Sequence, residues 1–260
     1  MFFNEIPPAT GSNFVSSVRQ CFKSGHSDTI GPRPTMEDAS AAIGDFAGCG
    51  TQYYAIFDGH GGNNVAHFAA YNLHRTFASL YQPGLDVEKI LVESIQQIHE
   101  EACKKWPTVG CTAAIVIIIN GVIYCANLGD TRIIFANDKS VQRLSYDHKA
   151  TDQIECEQVI KRGGSIYMDR VGGLLALTRS IGDGHLGNAI SCEPYLAHVK
   201  VKPGSTLIIA CDGVWDVMTD EEASKIALAN NNPATAARLI MEESIHRQTT
   251  DNVSVICIKL

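Results

Sequence analysis

Residues 113–125, AAIVIIINGVIYC, contain two apolar runs joined by the dipeptide Asn120-Gly121. Asn-Gly is the strongest short-range signal for a β-hairpin, because both residues of the tight turn need a positive φ angle. The longer run is far too short to cross a bilayer. The stretch therefore predicts two neighbouring antiparallel strands in a buried sheet.

Further apolar runs on both sides of this hairpin predict more strands, at residues 53–57, 132–135, 207–211 and 253–260. Helices are predicted where apolar residues recur every three or four positions, from Val65 to Leu80 and from Val87 to Ala102. Because strands and helices come in groups, with hairpins among the strands, we predict an α+β fold. In this fold, helices cover a core of antiparallel sheet. The grouping favours this architecture over a doubly wound parallel sheet.

Three local patterns predict where helices begin. Asp152 with Glu155, and Thr219 with Glu222, have the spacing of a capping box. Asn232-Pro233 has the order of an N-cap followed by proline at the first helical position. The chain has no internal repeat or linker, so we predict an N-terminal arm of unknown role at residues 1–27 and one domain at 28–260.

The charge balance restricts the partners. The 260 residues carry 28 Asp and Glu against 21 Lys and Arg, a net charge of −7, with no basic stripe. Nucleic acid and an anionic membrane surface are therefore not expected as partners. The sequence has nine cysteines but no CxxC pair, and residues 1–9 contain no apolar leader. We therefore predict reduced thiols and a cytoplasmic protein.

Aspartates occur at the ends of several predicted strands, namely Asp58, Asp130, Asp212 and Asp251. Asp-Gly also starts ordinary turns, which is the simpler explanation for any one of them. If they meet at one edge of the sheets, each pair of charges about 4 Å apart repels by roughly 4 kcal/mol at an effective dielectric of about 20. Such a cluster must take up protons or bind cations, and oxygen ligands favour Mg²⁺, Mn²⁺ or Ca²⁺.

Eight motifs occur in order along most of the chain: RPTMED (33–38), DGHGG (58–62), GCTA (110–113), NLGDTR (127–132), LSYDHK (144–149), ALTRSIGD (176–183), CDGVWD (211–216) and DNVSV (251–255). In this order and at these intervals they resemble the protein phosphatase 2C family. The resemblance implies an α-β-β-α sandwich of two antiparallel sheets flanked by helices, with a binuclear metal site at one end. It also implies a protein serine/threonine phosphatase that uses two Mg²⁺ or Mn²⁺ ions and a metal-bridging hydroxide.

The resemblance also implies roles for individual residues. Asp58 would bridge the two ions, the backbone carbonyl of Gly59 would bind one of them, and Asp212 and Asp251 would bind the other. Glu37 and Asp38 would hold metal-bound waters, and Asp130 would share a weaker third metal site with Asp212. Arg33, whose planar fork fits two phosphate oxygens, would bind the substrate phosphate, and His60 would be the general acid. The region from Gly163 to Asp183 matches the family's flap beside the cleft.

Two other functions are compatible with the same motifs. One is a catalytically inactive phosphatase-like binding protein, which Asp58, Asp212 and Asp251 argue against because such relatives usually lose metal-binding aspartates. The other is a metal-dependent hydrolase of a different phosphoester, such as a nucleotide. For the phosphatase, we expect phosphoprotein substrates, a monomer, and a location in the cytoplasm or also the nucleus.

Overall fold

The computed structural model describes residues 14–16 (backbone only), 22–48 and 50–260. Among these residues the strands are β1 (Phe14–Ser16), β2 (Lys23–Thr29), β3 (Ala39–Gly44), β4 (Gln52–Phe57), β5 (Gly59–His60), β6 (Gly110–Cys111), β7 (Ala113–Ile119), β8 (Val122–Leu128), β9 (Arg132–Ala136), β10 (Val141–Arg143), β11 (Ile166–Tyr167), β12 (Arg170–Val171), β13 (Ile181–Gly182), β14 (Tyr195–Lys200), β15 (Thr206–Ala210) and β16 (Val253–Lys259).

The helices are α1 (Asn64–Leu80), α2 (Val87–Lys105), α3 (Gln153–Lys161), α4 (Asp212–Trp215), α5 (Asp220–Ala229) and α6 (Pro233–His246), and a 3₁₀ segment spans Gly184–Ala189. Two larger sheets form the centre. The first has the strand order β1-β3-β4-β7-β8-β14, and the second has the order β10-β9-β15-β16-β2. All their strand pairs are antiparallel except that of β1 with β3. The predicted fold class is confirmed.

Alternation along β4 shows how the layers pack. Tyr53, Ala55 and Phe57 belong to the cluster shared with α1 and α2, whereas Tyr54 and Ile56 face the second sheet. Successive side chains of a strand point to opposite faces, so one fully buried strand serves two cores. The far face of the second sheet packs on α5 and α6 in a third cluster. The layer order is therefore helices, sheet, sheet, helices.

Two smaller sheets lie outside the sandwich. Strands β11 and β12 pair as a short hairpin in the predicted flap region. Strands β13, β6 and β5 form the other sheet, with β6 in the middle. In that sheet Gly110 of β6 pairs with His60 of β5 on one side and with Gly182 of β13 on the other. This small sheet therefore brings chain segments around positions 60 and 182 to opposite sides of Gly110.

The structure corrects the predicted start of the domain. Strand β2 begins at Lys23 and pairs with β16 along its whole length, so residues 23–27 belong to the second sheet and not to an arm. The prediction failed because β2 is polar. At Gly25 a Cβ atom would lie 2.1 Å from the backbone nitrogen of Ala234, so close packing under α6 fixes this strand. Residues 1–13 and 17–21 of the predicted arm lie outside the described residues.

The helix starts were predicted with one error. The Thr219–Glu222 capping box is present, and the side chain of Asn232 caps α6 ahead of Pro233. At α3, Asp152 accepts a hydrogen bond from the backbone N–H of Glu155, but the reciprocal bond is missing. The Glu155 carboxylate instead binds Thr178 and Arg179. The ion pair with Arg179 therefore replaces only the reciprocal bond of the capping box, and the Asp152 cap remains.

Within the described ranges, no helix is both long enough and apolar enough to span a membrane. The described cysteines are all free thiols, and four of them are buried: Cys111, Cys125, Cys211 and Cys257.

Candidate active site

Strand pairing places Asp38 and Asp58 at the same end of the first sheet. Asp38 directly precedes β3, Asp58 directly follows β4, and the adjoining residues Ala39 and Phe57 are paired across the two strands. The backbone N–H of Asp58 donates to the hydroxyl of Thr112, and Asp58 O accepts from the N–H of Thr112. Thr112 therefore fixes the backbone at Asp58.

The second sheet contributes its aspartates from the same end. Ala210, the last residue of β15, pairs with Val255 of β16 and with Arg132 of β9. Asp212 lies just beyond the end of β15 and Asp251 just before the start of β16. Antiparallel neighbours begin where their partners end, so these residues leave the sheet together. The convergence predicted from sequence is present in the fold.

The carboxylates of this rim are close together. One oxygen each from Asp38 and Asp58, with Sγ of Cys211, all lie within 4.8 Å of one another. Asp130, Asp212 and Asp251 act electrostatically on Asp58 as well. We call Asp38, Asp58, Asp130, Asp212 and Asp251 the acidic centre.

Burial and mutual repulsion disfavour charge in the acidic centre. Burial, followed by repulsion from Asp38 and Asp212, raises the pKa of Asp58 well above its ordinary value. Burial and the charges of Asp130 and Asp251 raise the pKa of Asp212 to about 8. Burial is also the main cause that raises the pKa of Asp38 to about 6. At neutral pH Asp212 therefore keeps its proton unless a cation replaces it.

Two buried carboxylate oxygens support cation binding here. Oδ2 of Asp38 and Oδ1 of Asp212 have no hydrogen-bond partner. A buried acceptor without a partner costs about 1–3 kcal/mol, which a bound cation removes. The donors are oxygens, as hard divalent ions require. Cys211 does not belong to the donor set, because burial raises its thiol pKa and its Sγ donates to Asn252 O at 3.4 Å. The residues present fit a site for hard divalent cations.

Asn252 attaches the segment around Glu37 to this rim. Its side-chain amide donates to the carbonyls of Ile30 and Thr35 at 2.8 and 2.9 Å. Its Oδ1 accepts from the N–H of Glu37 at 2.9 Å. The Glu37 carboxylate in turn accepts from the N–H of Gly62 at 3.1 Å. A hydrogen bond thus links Glu37 to the DGHGG loop. Among the described residues, no hydrogen bond links Glu37 to a carboxylate of the acidic centre.

Gly59 lies against the backbone of Glu37, where a Cβ atom would come within 2.5 Å of the carbonyl oxygen of Glu37. The absence of a side chain therefore allows the two loops to approach each other. Sequence reasoning predicted Gly59 for its carbonyl and did not foresee this packing. It also assigned no role to Asn252, which follows Asp251 in sequence, or to Thr112 of the GCTA motif, which meets Asp58 only in the fold.

Arg33 contacts a predicted metal ligand directly. Its Nη2 donates to Oδ2 of Asp251 at 2.5 Å, and its Nε donates to the carbonyl of Thr250 at 3.0 Å. The Arg33 side chain is 52% exposed, so it stands at the mouth of the acidic centre. The predicted phosphate clamp and the predicted ligand are therefore neighbours.

Asp130 has a cationic neighbour of its own. Lys149 Nζ lies 3.2 Å from Oδ2 of Asp130 and 3.4 Å from Oδ1 of Asp216. Burial raises the pKa of Asp130, and Lys149 opposes that shift. A cation at the predicted third site would compete with Lys149, a contact that the sequence did not reveal.

His60 lies beside the acidic centre and turns its ring towards Asp183. Nε2 of His60 is 2.7 Å from Oδ2 of Asp183, and the His60 side chain is 25% exposed. Sequence reasoning gave Asp183 no more than a place near the metal site. Its position depends on the pairing of β5, β6 and β13, which no local pattern predicts.

A sandwich with an acidic, cation-compatible rim suits a metal-dependent enzyme, and comparison with known proteins gives the family. A sequence profile of the family described as "Protein phosphatase 2C" matches residues 23–253. The chain belongs to the protein phosphatase 2C family and is a protein serine/threonine phosphatase.

Curated relatives cover most of this chain. It is 34% identical over 251 residues to "Protein phosphatase 2C homolog 1" of Saccharomyces cerevisiae, covering 88% of this chain and 89% of the relative. It is 33% identical over 241 residues to "Protein phosphatase 2C homolog 1" of Schizosaccharomyces pombe, covering 88% and 70% respectively.

Solved structures agree with the fold. A Caenorhabditis elegans sex determining protein superimposes with a TM-score of 0.83 at 27% identity, and the match covers 91% of this chain and 64% of that one. A phosphatase from Toxoplasma gondii superimposes with a TM-score of 0.82 at 19% identity, covering 93% and 94% respectively. The second likeness concerns the fold alone.

Proposed function

We propose that this phosphatase hydrolyses phosphoserine and phosphothreonine with two divalent cations, Mg²⁺ or Mn²⁺, at the acidic centre. Asp58 and the Gly59 carbonyl would hold one ion, and Asp58, Asp212 and Asp251 the other. The observation that carries the proposal is the group of crowded carboxylates, two of which leave an oxygen without a hydrogen-bond partner. Without cations, burial and mutual repulsion of these carboxylates cost free energy. With cations bound, the same carboxylates would hold the ions that the hydrolysis needs.

Divalent cations bound there would neutralise phosphate charge and make water a better nucleophile at neutral pH. The protein's own groups would arrange the rest. The carboxylates of Glu37 and Asp38 would accept hydrogen bonds from water and so orient it. Direct attack of water on phosphorus requires no phospho-enzyme, and hence no nucleophilic side chain.

Arg33 would bind the substrate phosphate. A guanidinium matches two phosphate oxygens and stays charged at any working pH. Its present partner, Asp251, is a proposed cation ligand. When a cation takes up the Asp251 carboxylate, the attraction that holds Arg33 weakens. Cation binding and release of Arg33 towards the phosphate would then be linked.

His60 would supply the proton that the leaving serine or threonine oxygen needs. An alkoxide is a poor leaving group, and general acids of this kind contribute about 10²–10⁴-fold to rates. Its partly exposed ring next to Gly59 supports the role.

Asp130 with Asp212 remains our candidate for a weaker third cation. The remaining expectations also stay predictions: phosphoprotein substrates in preference to nucleic acid, a monomer, and a cytoplasmic or nuclear location. Gel filtration and fractionation of cells that produce the protein test the last two.

The proposal is tested with purified protein and a phosphothreonine peptide. We expect hydrolysis with Mn²⁺ or Mg²⁺, none with EDTA, and slower hydrolysis of nucleotides. Asp212→Ala should lower turnover by orders of magnitude with the fold retained in circular dichroism. The matched control is Asp138→Ala, which changes the same residue type in the turn before β10. Wild-type turnover in Asp212→Ala would contradict the cation assignment.

A further inference from the structure

Asp183 is a buried carboxylate aimed at His60. Its side chain is 2% exposed, and Oδ2 lies 2.7 Å from Nε2 of His60 and accepts from the hydroxyl of Ser180 at 2.5 Å. An ionised carboxylate can only accept hydrogen bonds, so Nε2 of His60 carries a proton in this contact. The other ring nitrogen, Nδ1, has no hydrogen-bond partner in the part of the protein that the structure describes.

The small sheet allows this contact. Gly110 on the middle strand lies between the two side chains, and a Cβ atom there would come within 2.1 Å of Oδ2 of Asp183 and 2.5 Å of Nε2 of His60. Any side chain at position 110 would separate the pair. The glycine of the GCTA motif is thus explained by the His60–Asp183 contact.

The backbone at Asp183 is held from two sides. The N–H of Asp183 donates to the carbonyl of Val109 at 3.0 Å, which attaches it to the small sheet. From α2, Nδ1 of His99 accepts from the N–H of Gly182 at 3.2 Å, and Sγ of Cys103 donates to Gly182 O at 3.4 Å. His99 and Cys103 also contact each other at 3.5 Å. Both polar backbone groups of Gly182 are therefore fixed by one helix.

This amount of support exceeds what a surface turn needs. Asp183 has a φ of 56°, a left-handed conformation that costs a residue other than glycine free energy. The cost is met by bonds from β6, Ser180 and the neighbouring Gly182. Together these contacts fix the position of Oδ2 of Asp183 relative to Nε2 of His60.

We propose that Asp183 is a positioning residue: it accepts from Nε2–H of His60 and so turns Nδ1 towards the leaving group of the substrate. The doubly protonated ring would give its Nδ1 proton to the leaving oxygen, and neutral His60 would then keep its remaining proton on Nε2. The inference rests on the proposed role of His60 as proton donor. Asp183 is not one of the proposed cation ligands, and it would act on the reaction only through His60. In this arrangement α2, through Gly182, contributes to the alignment of the general acid.

The test compares two substrates that differ in the leaving group. A phosphothreonine peptide leaves a poor alkoxide and needs a proton, whereas p-nitrophenyl phosphate leaves a stable phenolate. Asp183→Gly removes the carboxylate and suits a positive φ. We expect it to lower kcat on the peptide by roughly tenfold or more with KM little changed, and on p-nitrophenyl phosphate by a few-fold at most.

Asp183→Asn is the conservative partner, because asparagine also tolerates a left-handed φ and keeps an oxygen that can accept from Nε2. Its loss on the peptide should be smaller than that of Asp183→Gly. In His60→Gln, adding Asp183→Gly should cost nothing further on the peptide, because the two residues act as a unit. Additive losses, or equal losses on both substrates, would show that Asp183 only supports the fold.

Asp45→Gly is the matched control. Asp45 also has a positive φ, 49°, and lies in the loop after β3, at the opposite end of the strand from the acidic centre. The same substitution there should leave the ratio of the two kcat values unchanged. A change in that ratio like that of Asp183→Gly would overturn the inference.

A spectroscopic readout separates this inference from the proposed function. In ¹H–¹⁵N spectra of the imidazole groups, recorded at a pH where the ring of His60 is neutral, His60 should hold its single proton on Nε2 in the wild type and lose that preference in Asp183→Gly. A wild-type protein inactive on both substrates would refute the proposed function, while the spectra would still decide whether Asp183 fixes the tautomer. No difference between the spectra of the two proteins would overturn the inference.

Discussion

Glu155 and Asp212 are both carboxylates enclosed by the protein, but their surroundings differ. Glu155 receives two hydrogen bonds from Arg179, at 3.0 and 2.6 Å, and one from Thr178 at 2.6 Å. Burial alone would raise its pKa, but these donors outweigh burial and lower it. Asp212 faces Asp130 and Asp251, and its pKa is raised to about 8.

The two sites differ in whether the protein supplies the positive charge that the carboxylate needs. At Glu155 an arginine completes the site, so the carboxylate serves the fold by joining α3 to the segment before β13. At the acidic centre the carboxylates outnumber the nearby basic groups, Arg33 and Lys149. A cation from solution is needed there.

Activity should separate the two regions most strongly. Asp58→Asn should lower kcat on a phosphothreonine peptide by about three orders of magnitude, because cation contacts supply several kcal/mol of transition-state stabilisation. Glu155→Gln, which also replaces a carboxylate by an amide, should stay within about tenfold of wild type when rates are corrected for the folded fraction. Initial rates at saturating Mn²⁺ measure both. Comparable losses in the two variants would contradict the contrast.

Stability should show the opposite order. Glu155→Gln leaves Arg179 without its charge partner, and breaking a buried pair in this way costs about 3–5 kcal/mol. Asp212→Asn in EDTA should instead raise the free energy of unfolding at pH 7.5, by on the order of 1–2 kcal/mol, because it removes a carboxyl whose charge is disfavoured by burial and by its acidic neighbours. Urea unfolding at pH 7.5 measures both values. A large destabilisation by Asp212→Asn would mean that its charge supports the metal-free fold.

This reversal also shows what could be predicted from sequence. The meeting of Asp58, Asp212 and Asp251 was predictable, because each follows or precedes an apolar strand and antiparallel strands share their ends. The partners of Glu155 were not predictable. Its spacing from Asp152 matches a capping box, and only the folded position of Arg179 explains why the carboxylate turns away.

The other unforeseen features have the same origin. Strand β2 carries little apolar patterning and is defined by its pairing with β16. The contact of His60 with Asp183 joins residues 123 positions apart through the small sheet. The bond between Arg33 and Asp251 spans 218 positions. Local patterns identify which residues meet at the rim, whereas long-range contacts decide which atom each one faces.

The pH dependence of stability should follow the raised pKa values. Between about pH 4 and pH 8, the folded metal-free protein keeps protons on Asp38 and Asp212 that the unfolded chain releases. Raising the pH through this range therefore favours unfolding. The stability advantage of Asp212→Asn over wild type in EDTA should grow by on the order of 1–3 kcal/mol from pH 5 to pH 8.5. Melting curves of both proteins measure it, and saturating Mg²⁺ should remove the growth.

An advantage of Asp212→Asn that is constant with pH, or that falls as pH rises, would contradict these shifts.

Lys149 should have the smallest effect. Replacing it by methionine removes the partly exposed ion pair with Asp130, which is worth at most about 1 kcal/mol. Cations should then bind up to about fivefold more tightly, because they no longer compete with Lys149. Titration with Mn²⁺ measures the change, and Lys139→Met, an exposed lysine in the turn before β10, is the control. Weaker binding in Lys149→Met would mean that Lys149 assists the cation.

Calorimetric titration of Mg²⁺ or Mn²⁺ at pH 7, in two buffers of different ionisation enthalpy, addresses the acidic centre most directly. We predict that binding releases protons, because cations displace them from carboxyls whose pKa values are raised, and that Asp58→Asn loses most of the affinity. Binding of equal strength in wild type and Asp58→Asn, with no proton release, would contradict the account.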